Sequence, residues 1–324
     1  MVGEGSEELL VSVRELAHSL GQTSLRAVGR QAEADRAVPP SLSEAFAQTG
    51  LDLTADPEPD GAGLGVGGLY AVGRELAEGD PSLAAALLLP AWLRHLSRAV
   101  NRPLTALSLD PAALDGQSDQ PVVALLAQGE GSTLFLAPEA MALAESAPER
   151  PGESVGLSAA GLVRSDRPQA SAVTAGGDAK RLWREGVLLA ISLMLGAGRA
   201  ALNTAVTYAL TRKTFGQALT TYQGVAFPLA DAATWLEAAE GLTERAIWLH
   251  QSGDASAQQA MLCALVASRQ AAFKAGDEAV QTLGGAGFVS EFPVEMWFRD
   301  AVAAGALTGR LDRFTVLLGE EVAS

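Results

Sequence analysis

Residues 208–231 read YALTRKTFGQALTTYQGVAFPLAD. An apolar run closes at Arg212, a Phe215-Gly216-Gln217 turn follows, and a second run opens near Gln223, so two helices meet at a tight corner. Reading outward from that corner, helical spacing of apolar residues predicts four segments, at 179–211, 222–252, 256–283 and 294–321. Ser256 with Gln259 makes a capping box for the third. Four consecutive long helices predict an antiparallel bundle over 178–324. The uncharged stretch GVLLAISLMLGAG at 186–198 is shorter than the roughly 20 residues that cross a bilayer and suits a buried core helix.

Upstream, Leu9, Leu10, Val13, Leu16 and Leu20 recur at spacings of three and four, which predicts a helix over 7–30. A short helix at 41–51 ends on Gly50, a Pro/Gly-rich loop follows, and helix resumes from Leu69 to Val100 with a break at Asp80-Pro81. Between 103 and 175 the pattern changes to short Val/Leu-rich runs, PVVALLAQ and STLFLAP, which the turn-like GEG at 129–131 joins as a hairpin. The fold class is therefore mainly α with a small β domain: an N-terminal helical domain at 1–102, an abbreviated β domain at 103–177 and a C-terminal bundle at 178–324.

The 324 residues carry 38 acidic and 23 basic side chains, a formal charge of −15 that argues against nucleic acid as a partner. The single cysteine, Cys263, lies in MLCALVA, where a small thiol packs, and a lone thiol suits a reducing cytoplasm. The acidic, amphipathic N-terminus reads as no secretory signal, so a cytoplasmic protein with no membrane partner is expected. His18, His95 and His250 are far apart in sequence and show no metal-ligand spacing. Trp183, Trp235, Trp248 and Trp297 fall in helical segments and read as core or interface packing, and Arg299-Asp300 as a structural ion pair.

Chemistry concentrates in two segments. An arginine beside a glycine turn can grip a phosphate, because guanidinium donors match its oxygens and glycine lets the backbone approach. Arg212 is equally well placed to be an ordinary solvated helix end. The second segment, Gln281-Thr282-Leu283-Gly284-Gly285-Ala286-Gly287-Phe288, can expose backbone N–H groups to a pyrophosphate, or merely end a helix. It lacks the spacing and preceding strand of a Rossmann fingerprint.

Taken together, in this order and about 70 residues apart, the two segments resemble the acyl-CoA dehydrogenase family. The pattern Y-A-x-x-R-x-x-F-G-x-x-x-x-x-x-Q followed by L-A-D, then Q-x-x-G-G-x-G-F, E-x-P-x-E and R-D-A, is met from Tyr208 to Ala301. Weaker resemblance in GLDLTADPEPDGAGLGVGGLYAVGRELAEGDPSLAAALL extends it over most of the chain. The resemblance implies a helical domain, a β domain and a four-helix bundle, assembled as a dimer or a dimer of dimers, with FAD between subunits. Arg212, Phe215, Gly216 and Gln223 would meet the adenosine diphosphate half of FAD held mainly by a neighbouring subunit, and Gln281, Gly284 and Gly285 its pyrophosphate region. The implied reaction is α,β-desaturation of an acyl-CoA, with electron-transfer flavoprotein as acceptor.

The sequence departs from that family in one half of the site. Where a Glu-Gly-Thr usually follows Arg-Asp-Ala and supplies the base, this chain has RDAVAAGALTGRLDRF, with Thr308 at the glutamate's place. A hydroxyl of ordinary pKa cannot take that proton. Some members carry the base on the first bundle helix, where ungapped alignment lands on Gly186, beside Glu185. One residue on a helix is a turn of about 100°, and Arg181 and Arg184 make Glu185 read as a surface or ion-pairing residue. No Thr-Glu-Pro…Gly-Ser-Asp segment is found for the isoalloxazine ring. The expectation is a subunit with no catalytic residue of its own, which holds the dinucleotide half of a shared FAD in an α2β2 assembly with a second acyl-CoA dehydrogenase-like subunit, as in bacterial enzymes acting on steroid side-chain CoA thioesters. The alternatives are a self-sufficient homo-oligomer using Glu185, and a flavin-free structural partner of the same fold.

Overall fold

A computed structural model describes residues 4–109, 122–126, 132–138, 140–144, 156–160, 162–165, 174–175 and 177–323. The N-terminal helices are α1 (Glu4–Leu20), α2 (Arg26–Asp35), α3 (Pro40–Thr49), α4 (Gly65–Gly79) and α5 (Pro81–Val100). The expected helix at 7–30 is thus two helices, joined by a π-helical turn at Gly21–Leu25. The break at Asp80-Pro81 has a physical cause. Asp80 turns extended, its Oδ1 accepts the Leu83 N–H at 2.8 Å, and Pro81 occupies the first helical position, where no N–H is needed.

The β elements are β1 (Leu104–Ser108), β2 (Val122–Leu126), β3 (Ser132–Ala137), β4 (Ala140–Ala144), β5 (Leu162–Ser165) and β6 (Thr174–Ala175), in the order β5-β2-β1-β3-β4-β6. This corrects the expected β2–β3 hairpin: β1 lies between them, antiparallel to β2 and parallel to β3, with Leu107 opposite both Leu125 and Leu134. Every residue of β1 is buried, as a central strand requires, whereas its short LTALS pattern carries no mark of that position. The GEG at 129–131 lies outside the described residues.

The C-terminal part contains α6 (Gly177–Thr211), a two-stranded hairpin of β7 (Lys213–Thr214) and β8 (Gln217–Ala218), α7 (Gln223–Gln251), α8 (Ala257–Leu283), α9 (Val294–Ala306) and α10 (Leu311–Ala323). Helix α6 is the central column and packs against α4, α5, α7, α8 and α9. It is long and apolar enough to cross a membrane, but 94% of its apolar window is buried inside the protein. Leu188, Leu189, Ile191, Leu193 and Leu195 are fully enclosed, each contributing about 1.5–3 kcal/mol relative to exposure.

Two local expectations fail here. The predicted fourth helix is broken between Ala306 and Leu311 into α9 and α10, with Gly309 at φ 83° in the turn. Ser256 precedes α8 but does not cap it. Its hydroxyl and N–H both donate to Asp254 Oδ1, at 2.6 and 2.8 Å, so a local turn takes the side chain that the capping box would have used. Cys263 is half-buried rather than enclosed.

Candidate functional site

At the end of α6 the sequence builds a very tight corner. Phe215 (φ 51°) and Gly216 (φ 83°) both lie in the left-handed region, the requirement of a type I′ two-residue hairpin turn, and glycine takes the second position without strain. The hairpin is pinned on both sides: Leu219 N–H donates to Arg212 O at 3.0 Å, and the Tyr222 hydroxyl to Thr214 O at 2.7 Å. The turn thrusts Phe215 into solvent, 95% exposed, with Arg212 and Gln223 both exposed beside the same hairpin.

Helices α6 and α8 both run antiparallel to α7, so Thr211 and Leu283 end at one pole of the bundle and Gln223 begins there. The T-shaped contact of Tyr208 with Phe292, 5.9 Å between ring centroids, ties the hairpin's helix to the segment after the glycines. Gln281, Gly284 and Gly285 are exposed there, Gly284 at φ 57° with nothing within 4 Å of where a side chain would stand. All seven predicted residues therefore gather at one pole, on an open surface with an exposed Gly284-Gly285 backbone, a free-standing aromatic and a guanidinium. That chemistry suits the phosphates and adenine of a dinucleotide.

Glu185 lies at the opposite pole, about 40 Å away along α6 at 1.5 Å per residue. It is buried, not on the surface, and its ion-pairing role is realised. His95 Nε2 of α5 lies 3.2 Å from Oε2, His250 Nε2 of α7 lies 3.2 Å from Oε1, and Arg181 donates to Oε1 at 3.0 Å. Arg184 Nε donates to His250 Nδ1 at 3.1 Å, which makes Nδ1 the acceptor and leaves Nε2 as the N–H directed at Glu185. Arg184 also donates to Gln258 of α8 at 3.0 Å, and Gln258 donates to Pro138 O in the β domain at 3.2 Å. Burial opposes the charge on Glu185, but hydrogen bonds from His250 and His95 and the Arg181 charge outweigh it, holding the carboxyl well below its ordinary range. A carboxylate so engaged is a weak base.

Thr308 is fully buried, donates to Gly305 O at 2.8 Å and accepts from Arg269 Nη1 at 3.1 Å. Arg269 also donates to Gly309 O at 2.6 Å, so a cation braces the α9–α10 turn at the position where the resemblance places a glutamate. Arg299 bridges to Glu33 and Glu295, while Asp300 turns inward and accepts the Leu157 N–H at 2.6 Å. The expected Arg299–Asp300 pair is replaced by these partners, because successive helix residues point about 100° apart. Asp300 Oδ2 meets no hydrogen-bond partner among the described residues, and burial raises the pKa of both Asp300 and Asp80, the latter to about 6.

The histidines, scattered in sequence, are not scattered in space. His95 and His250 share Glu185, and His18, Glu75 and Glu78 offer ligand atoms within 4.8 Å of one another. Both of those carboxylates already bridge to Arg74, and Glu75 also to Arg14, so the group is a salt-bridge network rather than an open cation site. Of the tryptophans, Trp183 and Trp297 are core residues, while Trp235 and Trp248 are 46% and 64% exposed.

Residues 181–317 match the family described as acyl-CoA dehydrogenase, C-terminal domain. That segment, somewhat under half of the chain, is similar to the acyl-CoA dehydrogenase C-terminal domain. Short-chain specific acyl-CoA dehydrogenase from Bos taurus mitochondria is 44% identical over 110 residues, which are 34% of this chain. That match spans only about a quarter, 26%, of the curated relative's length. Over nearly the whole chain the acyl-CoA dehydrogenase fold is shared with solved structures. Butyryl-CoA dehydrogenase from Megasphaera elsdenii superposes with a TM-score of 0.75 at 18% identity, covering 97% of this chain and 98% of that one. The Tcur3481-Tcur3483 steroid ACAD gives 0.73 at 20% identity, covering 98% and 100%, and the FAD complex of PigA 0.70 at 16%, covering 100% and 98%. The pole that holds Arg212, Phe215 and Gln223 lies within the matched acyl-CoA dehydrogenase segment, as do Glu185, Gln281 and Thr308.

Proposed function

We propose that this chain is a subunit of an FAD-dependent acyl-CoA dehydrogenase that grips the dinucleotide tail of FAD, while a second acyl-CoA dehydrogenase-like subunit in an α2β2 assembly supplies the base and the isoalloxazine pocket. The observation that carries this reading is the division of the bundle. One pole presents Arg212, Phe215, Gln223, Gln281 and the Gly284-Gly285 backbone to solvent, and the carboxylate of the other pole is fully engaged. About 40 Å of α6 separates the poles, farther than an extended dinucleotide reaches, so a cofactor gripped by Arg212 leaves Glu185 out of reach and would meet its base on another subunit.

FAD, when bound, accepts the hydride from the β carbon of the acyl thioester. This chain's residues would hold its tail: the Arg212 guanidinium against the phosphates, the side-chain-free Gly284-Gly285 backbone letting them approach, Phe215 against the adenine face, and Gln223 and Gln281 as hydrogen-bonding side chains. Neither Thr308 nor Glu185 would move a proton. The first donates to Gly305 O beside Arg269, and the second is the acceptor of two imidazoles and a guanidinium. Acyl-CoA, possessing the α proton to be removed, would meet its base on the partner, and electrons would leave to an electron-transfer flavoprotein. The steroid ACAD among the fold's neighbours supports a steroid side-chain CoA thioester as substrate, and the single cysteine a cytoplasmic enzyme.

The test is expression of the chain alone and together with a candidate partner subunit, with FAD per subunit measured from the flavin absorbance and turnover from acyl-CoA oxidation. Flavin and activity that arise only on co-expression, at about one FAD per unlike pair, are the expected result. Full flavin and activity from this chain alone would sink the proposal.

A further inference from the structure

Toward the Glu185 end of α7, α1, α4 with the loop before it and the second half of α7 line a cavity of about 640 Å³, the volume of a small-ligand site. Leu10, Leu64, Ile247 and Trp248 give it apolar walls, and Arg74 lies at its floor. None of the Arg212-pole residues, nor Glu185, lines it.

The polar groups of the cavity are unevenly satisfied. Arg74 is bridged to Glu75, Glu78 and Glu240, at 2.8, 3.6 and 3.0 Å, and Arg14 to Glu75 at 3.2 Å, so both cations are spent inside the protein. Glu244, by contrast, is exposed and has no ion-pair partner among the described residues. The Tyr70 side chain lines the cavity while only 7% exposed, and among the described residues its hydroxyl meets no hydrogen-bond partner. Its oxygen is not sealed in the core but opens on the cavity, where a ligand atom can reach it. Burial first, then the Glu240 and Glu244 charges, raise its pKa above the ordinary phenol range, so the hydroxyl stays neutral and able both to donate and to accept. Trp248, 64% exposed, offers an aromatic face at the rim.

We propose that this cavity binds a small organic cation with an apolar or aromatic body, the ammonium held by Glu244 and the Tyr70 oxygen and the body against Trp248 and Ile247. An anion is disfavoured because neither arginine is free and the unpaired charge is acidic. The ammonium gains a charge-assisted bond to a carboxylate, and the indole face adds a cation–π contribution.

Isothermal titration of the full chain with three probes of one shape, 3-phenylpropylammonium, 3-phenylpropanol and 3-phenylpropionate, tests this directly. The ammonium is expected to bind about tenfold more tightly than the alcohol, the scale of one charge-assisted hydrogen bond, and the carboxylate least. Glu244→Gln, an exposed position whose change leaves folding intact, and Tyr70→Phe, which removes only the hydroxyl, should each weaken the ammonium at least about threefold. Glu244→Gln should leave the affinity for the alcohol unchanged. Equal affinities for the three probes, no binding of the ammonium, or either variant binding it as the parent does would overturn the proposal.

Discussion

Glu185→Gln separates a structural carboxylate from a catalytic one. The substituted amide would keep one oxygen for His95 or His250 but lose the charge that Arg181 and both imidazoles converge on, 3.0 to 3.2 Å away. Removing one partner from a buried charge network costs about 3–5 kcal/mol, and because the amide retains one acceptor we take the lower end, about 3 kcal/mol. Urea unfolding near neutral pH followed by tryptophan fluorescence reads this loss, with the buried Trp183, in the turn of α6 just before the substitution, as reporter. The pH dependence has a definite sign. Since the folded carboxyl titrates below its unfolded value of about 4.3, its contribution is complete above that pH and lost as the pH falls further. The gap between parent and variant should therefore close in acid. Acyl-CoA turnover of the assembled enzyme, assayed where both proteins are folded, should change by less than about threefold, whereas loss of a general base costs about 10²–10⁴-fold. An unfolding midpoint like the parent's, combined with a hundredfold fall in turnover, would refute the reasoning and make Glu185 the base.

Two further outcomes follow from the same geometry. Asp80→Asn keeps an acceptor for the Leu83 N–H but removes a buried charge whose pKa is raised to about 6, so it should stabilise the protein by about 2–3 kcal/mol above about pH 7. The parent loses this stability as pH rises from about 4 through 6, so the variant's advantage should vanish near pH 4 in parallel thermal melts; a pH-independent difference would count against a buried charge penalty. Arg212→Ala, at an exposed position, should leave unfolding within about 0.5 kcal/mol yet lower FAD retained by the co-purified assembly about tenfold on gel filtration, and undiminished flavin would remove Arg212 from the site.

The helical half was legible because its signals are local. The 3.6-residue period of apolar side chains marked α6, α7 and α8 to within about two residues of their ends, and Phe215-Gly216 announced a turn that only left-handed backbone can make. The sheet was not legible. Three short apolar runs, LTALS, VVALL and STLFLA, look alike, and nothing in them says that the first inserts between the other two. Capping failed at Ser256 for a related reason: a nearer acceptor, Asp254, competed for the hydroxyl.

Site chemistry divides in the same way. The sequence by itself determined a bundle with a tight Phe215-Gly216 corner and a glycine-rich end after Gln281, because periodicity, turn stereochemistry and motif spacing act within a few residues of chain. Tertiary structure alone decided that these segments share one pole, that His95, Glu185 and His250 from three helices form one buried cluster, that Arg269 braces Thr308, and that Tyr70 faces a cavity. Those groupings depend on which helix faces pack together, and the energy that selects them, burial of apolar area around α6, does not depend on direction and leaves no local mark of which polar groups it will bring together.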